Sequence, residues 1–179
     1  TLTSSGTDAY SAYAGAIGSL KGHRHGGANF KVINQLEEFK EHIKDWDDDN
    51  EIKDYLADVI RCKAGDGTGL VYGMGHAVYS LSDPRARVFK RVVKDLAIEK
   101  GKEKEFALFD RVERLAPEII ANERHIYKGV SANVDFYSGF VYDMLGIPHD
   151  LFTPLFAMSR IVGWCAHRME ELVSGGKII

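Results

Sequence analysis

Apolar residues recur every three or four positions along nearly the whole chain, the spacing that lines one face of an α-helix. Tyr10, Tyr13, Ala14 and Ile17 form one such stripe, and Val32, Leu36, Phe39 and Ile43 form another. Val88, Val92 and Leu96 make a third, widened by Phe89 and Val93; Phe109, Val112, Leu115, Ala116 and Ile119 make a fourth. The boundaries carry their own chemistry. Asp83-Pro84 reads as an N-cap followed by proline in the first helical position, and Thr153-Pro154 repeats that arrangement. Gly146 followed by Pro148 stops the helix that begins near Val134, while Pro117 is expected to break or kink the helix around it. These signals predict seven helices, over residues 7–21, 27–44, 50–63, 84–100, 103–124, 134–145 and 153–173. There is no hairpin signal and no repeat, so the expected fold class is all-α.

Composition narrows the function more than the fold. The 179 residues are 45% hydrophobic and 27% charged, an ordinary globular balance. A net charge of −3 leaves no electrostatic footprint for nucleic acid. No apolar run reaches the ~20 residues that span a bilayer, so no membrane partner is expected. Cys62 and Cys165 are the only cysteines, which excludes a disulfide scaffold and a four-cysteine zinc site and suits a reducing, cytoplasmic compartment.

The segment from Ala64 to Ser82 holds Gly65, Gly67, Gly69, Gly73 and Gly75, and a glycine-rich loop of that length usually carries function. It is not a dinucleotide fingerprint: Leu70 stands where the third glycine belongs, and no strand precedes it. The run from Asp45 to Glu51 is not a calcium loop, because Asn50 and Leu56 occupy the positions that need glycine and glutamate. His23 and His25 have no third ligand nearby in sequence, so no metal is expected. No nucleophile elbow exists around Ser138.

Three places look chemical. Gly22-His23-Arg24-His25-Gly26-Gly27-Ala28-Asn29 sets histidine against paired glycines at a helix start, where backbone N–H groups are free and a ligand can approach closely. Tyr72-Gly73-Met74-Gly75-His76 does the same inside the loop. Asn133-Val134-Asp135-Phe136-Tyr137 puts one carboxylate at a helix N-terminus among apolar and aromatic neighbours. Each has a plain alternative, a turn for the histidines and an N-cap for Asp135. Arginines at Asp83-Pro84-Arg85-Ala86 and Phe156-Ala157-Met158-Ser159-Arg160 add to their joint weight.

Taken in order, these strings resemble the citrate synthase family. The resemblance rests on five blocks: His25 to Asn29, Gly73 to His76, Asp83 to Arg85, Asn133 to Gly139, and Phe156 to His167. It covers essentially the whole chain, although residues 30–69 are weakly diagnostic. By resemblance the catalytic trio is His25, His76 and Asp135. Asp135 would remove a methyl proton from acetyl-CoA, His25 would bond the thioester oxygen, and His76 would bond the keto oxygen of oxaloacetate. Arg85 and Arg160 would join His76 in binding the dicarboxylate of oxaloacetate or citrate. Val71, Tyr72, Gly73, Met74 and Gly75 would cup the adenine of CoA through backbone groups. The resemblance implies no cofactor beyond the acetyl-CoA substrate, and a homodimer.

Two departures stand out. Ser80 occupies a position where many relatives carry Lys or Arg that meets a CoA phosphate, and His23 replaces proline or another small residue. The resemblance also implies an incomplete chain, with a further substrate histidine before Thr1 and a substrate arginine after Ile179. Residues 1–25 are then a large-domain helix segment, 26–132 the small, mobile, CoA-binding domain, and 133–179 large-domain helices. On that basis the chain alone is expected to be inactive and to self-associate, with Phe152, Phe156, Ile161 and Trp164 left uncovered. The competing readings are 2-methylcitrate synthase, which uses propionyl-CoA with the same residues, and a catalytically silent helical binding module.

Overall fold

Among the described residues, seven α-helices form where the apolar spacing places them. The computed structural model describes residues 1–22, 27–126 and 129–175. The helices are α1 (Ala9–Lys21), α2 (Ala28–His42), α3 (Asp49–Ile60), α4 (Pro84–Glu99), α5 (Glu103–Arg124), α6 (Val134–Met144) and α7 (Phe152–Ser174). Single 3-10 turns at Thr3–Ser5 and His149–Leu151 complete the order. Among the described residues there is no strand, only one isolated antiparallel bridge between Met74 and Ala132. The fold is all-α.

Capping explains most of the boundaries. The Asp83 carboxylate accepts the Arg85 N–H at 2.9 Å, with Pro84 in the first turn where its missing N–H costs nothing. Gly146 sits at φ +67°, and the N–H groups of Gly146 and Ile147 return to the carbonyls of Asp143 and Tyr142, closing α6 in a left-handed cap. Two expectations change. Thr153 is not an N-cap, because the 3-10 turn at His149–Leu151 feeds directly into α7 and places Thr153 and Pro154 inside its first turn. Pro117 does not break α5. The flanking Leu115, Ala116 and Ile120 are buried, and their packing holds the helix together across the bond that proline cannot donate.

By packing, the chain divides into two compact units, Thr1–Gly27 with Pro148–Ile179, and Ala28–Ile147. Helix α6, which the sequence reading grouped with residues 148–179, packs with the second unit. In that unit α6 lies against α2 and α4, and α3 lies along α5. Helix α6 is buried almost all round, through Phe136, Tyr137, Ser138, Gly139, Phe140, Val141 and Met144. The Phe109 ring meets Phe136 edge-on at 5.0 Å and stacks on Phe140 at 5.0 Å. Gly139 is where α2 crosses α6: a Cβ there would collide with the Asn29 carbonyl oxygen and lie 3.0 Å from Ile33 Cγ1. The buried Tyr137 hydroxyl donates to Glu113, which also takes Lys90 at 2.7 Å, so one carboxylate ties α6 to both α4 and α5. Burial and that bond push the Tyr137 phenol far above its ordinary range.

In the first unit α1 lies against α7, with Tyr13 donating to Cys165 at 3.2 Å and Arg168 donating to the Thr7 carbonyl at 3.1 Å. Phe152 is fully buried, against the expectation that it would be left uncovered. Phe156 and Trp164 are half-buried and Ile161 is exposed.

Candidate active site

Residues 61–83 make one long irregular connection between α3 and α4, and three anchors give it shape. Buried Gln35 on α2 donates to the Leu70 carbonyl and accepts the Tyr72 N–H, each at 2.9 Å, which pins Val71 inward. The Tyr72 hydroxyl donates to Asp66 at 2.6 Å. Farther along, the loop meets the segment leading into α6. Gly75 N–H donates to the Ser131 carbonyl and Asn133 N–H donates to the Gly73 carbonyl, both at 2.8 Å. Gly73 lies at φ +78° directly on the first turn of α6, where a Cβ would come within 2.8 Å of Phe136 Cα. Only glycine fits that approach.

His76 follows immediately. Its Nδ1 accepts two backbone N–H groups, from Val78 at 2.9 Å and Tyr79 at 3.1 Å. A nitrogen that accepts twice carries no proton, so the ring proton lies on Nε2. That Nε2 sits 3.4 Å from Arg85 Nη2. With the proton on Nε2 neither group can accept from the other, so the two N–H donors lie side by side. Tyr79 backs both groups, with its ring 5.0 Å from His76 and 5.7 Å from the Arg85 guanidinium carbon.

Arg85 is held from behind by Asp83, whose side chain is fully buried. Nε donates to Oδ1 at 3.0 Å and Nη2 donates to Oδ2 at 2.8 Å. Burial pushes the Asp83 carboxyl up, but the hydrogen bonds from Arg85 and the charge of its guanidinium outweigh it and hold the group below its ordinary value. The same pairing raises Arg85 further, with Tyr79 and Asp135 adding to it. A carboxyl held lower in the folded state than in the unfolded chain contributes stability above about pH 4 and loses it as pH falls from there. Asp83→Asn keeps the cap but removes that charge. We expect unfolding free energy at pH 7 to drop by about 1–3 kcal/mol and the loss of stability on acidification to become shallower. Denaturant titrations at neutral and acid pH check this, and an unchanged pH slope would refute it.

Asp135 stands in the first turn of α6, half-buried, with its N–H bonded to Asn133 Oδ1 at 2.9 Å. Tyr142, half-buried on the same helix, is pushed up by burial and by the Asp135 charge.

His76, Arg85 and Asp135 thus belong to one unit. Arg160 lies on α7 in the other unit, exposed, with its guanidinium 5.2 Å above the Phe156 ring. His25 and His23 lie outside the described residues. Of the adenine segment, the N–H groups of Tyr72, Met74 and Gly75 and the carbonyls of Val71, Gly73 and Gly75 all bond within the protein. Three residues went unassigned in the sequence reading. Asp83 was seen only as a cap, Asn133 only as part of a block, and Gln35 not at all, although a polar residue in the Val32–Leu36–Phe39 stripe is a legible signal.

The family model described as citrate synthase, C-terminal domain, matches residues 1–179. The chain belongs to the citrate synthase family. A citrate synthase from Synechocystis is 38% identical over 93% of this chain. The 2-methylcitrate synthase 2 of Corynebacterium glutamicum is 34% identical over 95%. Among solved structures, a ternary complex of Thermoplasma acidophilum citrate synthase with carboxymethyl coenzyme A and oxaloacetate superposes with a TM-score of 0.77 over 99% of this chain, at 31% identity. The chain spans 38% of the Synechocystis protein and 43% of the Thermoplasma one.

Proposed function

We propose that this chain is the C-terminal part of a citrate synthase, which condenses acetyl-CoA with oxaloacetate and water to give citrate and CoA. The observation that carries the reading is the donor pair in front of His76. A neutral imidazole with its proton held on Nε2, beside a guanidinium already braced by Asp83, suits a keto oxygen flanked by a carboxylate. Asp135 takes a methyl proton from acetyl-CoA, and His25 donates a hydrogen bond to the thioester oxygen as the enol forms. The enol carbon attacks the oxaloacetate carbonyl, whose oxygen collects the His76 proton. Water then cleaves the citryl-CoA thioester, releasing CoA. Arg160 supplies a second guanidinium for the dicarboxylate. Val71 to Gly75 would meet CoA through the backbone groups left outside the internal bonds.

In this reading residues 26–132 are the small, CoA-binding domain and residues 1–25 and 133–179 belong to large-domain helices, in a cytoplasmic homodimer. Two free thiols support a reducing compartment. Exposed Met158, Val162, Met169, Leu172 and Val173 along α7 support association. Similarity to a 2-methylcitrate synthase favours one alternative, because a single methylene is worth only about 1–3 kcal/mol of discrimination. CoA release by the full-length protein, with oxaloacetate and either acetyl-CoA or propionyl-CoA, tests both. The expected result is turnover favouring acetyl-CoA, and none of note from the 179-residue chain alone. Equal turnover by that chain as a monodisperse monomer would sink the reading of it as a part.

A further inference from the structure

We propose that Asn133 is a positioning residue that sets the His76 loop and the Asp135 helix in register with one another; this rests on the function proposed above. Its side chain makes two bonds. Oδ1 accepts the Asp135 N–H at 2.9 Å, and Nδ2 donates to the Gly75 carbonyl at 2.9 Å. The first group belongs to the peptide immediately before Asp135, and the second to the peptide immediately before His76. A single planar amide therefore orients the backbone from which each of the two functional side chains departs. The Asn133 backbone adds a third tie, through its N–H to the Gly73 carbonyl at 2.8 Å.

The chemistry selects the residue. One end of the side chain accepts while the other donates, and asparagine does this from two separate atoms, Oδ1 and Nδ2, held apart on one plane. Aspartate and serine are equally good helix caps, but an ionised aspartate has no donor for the Gly75 carbonyl, and serine has a single oxygen, one bond nearer the backbone, that cannot span both partners while it caps. Helix capping alone thus leaves the Nδ2 bond unexplained. Gly75 itself sits at φ +92°, a conformation open to several orientations of the following peptide, so something outside the loop must choose one. Asn133 makes that choice, and with it the direction in which the imidazole points relative to the carboxylate. Because the reaction needs base and acid on opposite sides of one forming bond, an error of about 1 Å in that relation costs up to ~100-fold in rate.

The test is Asn133→Ser in the full-length protein, with Asn133→Ala beside it. Serine keeps the cap and loses the bond to Gly75; alanine loses both. For the serine variant we expect kcat to fall about 10- to 100-fold, with KM for both substrates within about three-fold and the unfolding midpoint within about 3 °C. Hydrogen exchange in peptides covering 71–77 and 130–136 should speed up together. The alanine variant should show the same fall in kcat and a lower midpoint besides. A residue that merely stabilised the helix would lower the midpoint without this split. Retention of kcat within about two-fold by the serine variant, or unchanged exchange in those peptides, overturns the inference. If the parent itself formed no citrate, the proposed function would fail, and the exchange result would still decide whether Asn133 holds the two segments together.

Discussion

Asp135→Asn in the full-length protein should cut turnover by about 10²–10⁴-fold, the usual worth of a positioned general base. The amide preserves the shape at the start of α6, and the Asn133 cap still receives the N–H of residue 135. What disappears is the only property the step requires, a carboxylate able to take the methyl proton of acetyl-CoA. Oxaloacetate binding should change little, because its expected donors are His76 and Arg85, and Arg85 is braced by Asp83 rather than by Asp135. Helix α6 loses one favourable charge at its N-terminus, worth about 0.3–1 kcal/mol, too little to unfold it. Steady-state kinetics with calorimetric oxaloacetate titration make the measurement. Near-normal turnover would move the role of base elsewhere, and a lost oxaloacetate affinity would make Asp135 a binding residue.

The second large effect is expected at Gly73. Alanine there must hold φ near +78° and must also accommodate a Cβ within 2.8–2.9 Å of the Phe136 backbone and ring. A left-handed conformation costs a residue with a side chain about 1–2 kcal/mol, and overpacking against backbone adds about 1–3 kcal/mol. Phe136 has no room to retreat, since it is 3% exposed and packed edge-on against Phe109. The loop must lift instead. That breaks the Gly73–Asn133 and Gly75–Ser131 bonds and carries His76 away from α6. Gly73→Ala should therefore lose about 2–4 kcal/mol of stability together with most of the activity. Gly67→Ala, where an added Cβ meets nothing within 4 Å, should pay only for its backbone conformation. Denaturant unfolding and kinetics of the two variants side by side provide the check, and equal losses would show that close approach to Phe136 is unimportant.

Much of this protein was legible from residue spacing. Four apolar stripes located helices, and in α2 and α5 they also marked the buried face, whereas Tyr10 and Ile17 on α1 and Val88 and Val92 on α4 are exposed. Cap chemistry at Asp83-Pro84 and the Gly146 stop located ends that depend only on neighbouring backbone groups. The same local reasoning failed at Thr153 and Pro117, where a preceding 3-10 turn and the burial of flanking side chains overrode it. The blocks around His76, Arg85 and Asp135 stand out in the sequence because glycines and a helix start mark unusual backbone chemistry there. Nothing in the one-dimensional pattern reported how those blocks meet. The tautomer of His76 depends on the N–H groups of Val78 and Tyr79, and the direction of Arg85 on the buried carboxylate of Asp83. The register of loop and helix depends on an amide 58 residues away from the carbonyl it holds. Periodicity encodes that a segment is helical, because that spacing is local; which face is buried is settled by the element packed against it, as the exposed Val88 and Val92 on α4 show. Donor and acceptor pairing across the fold belongs to two residues at once, and it exists only after the chain has closed.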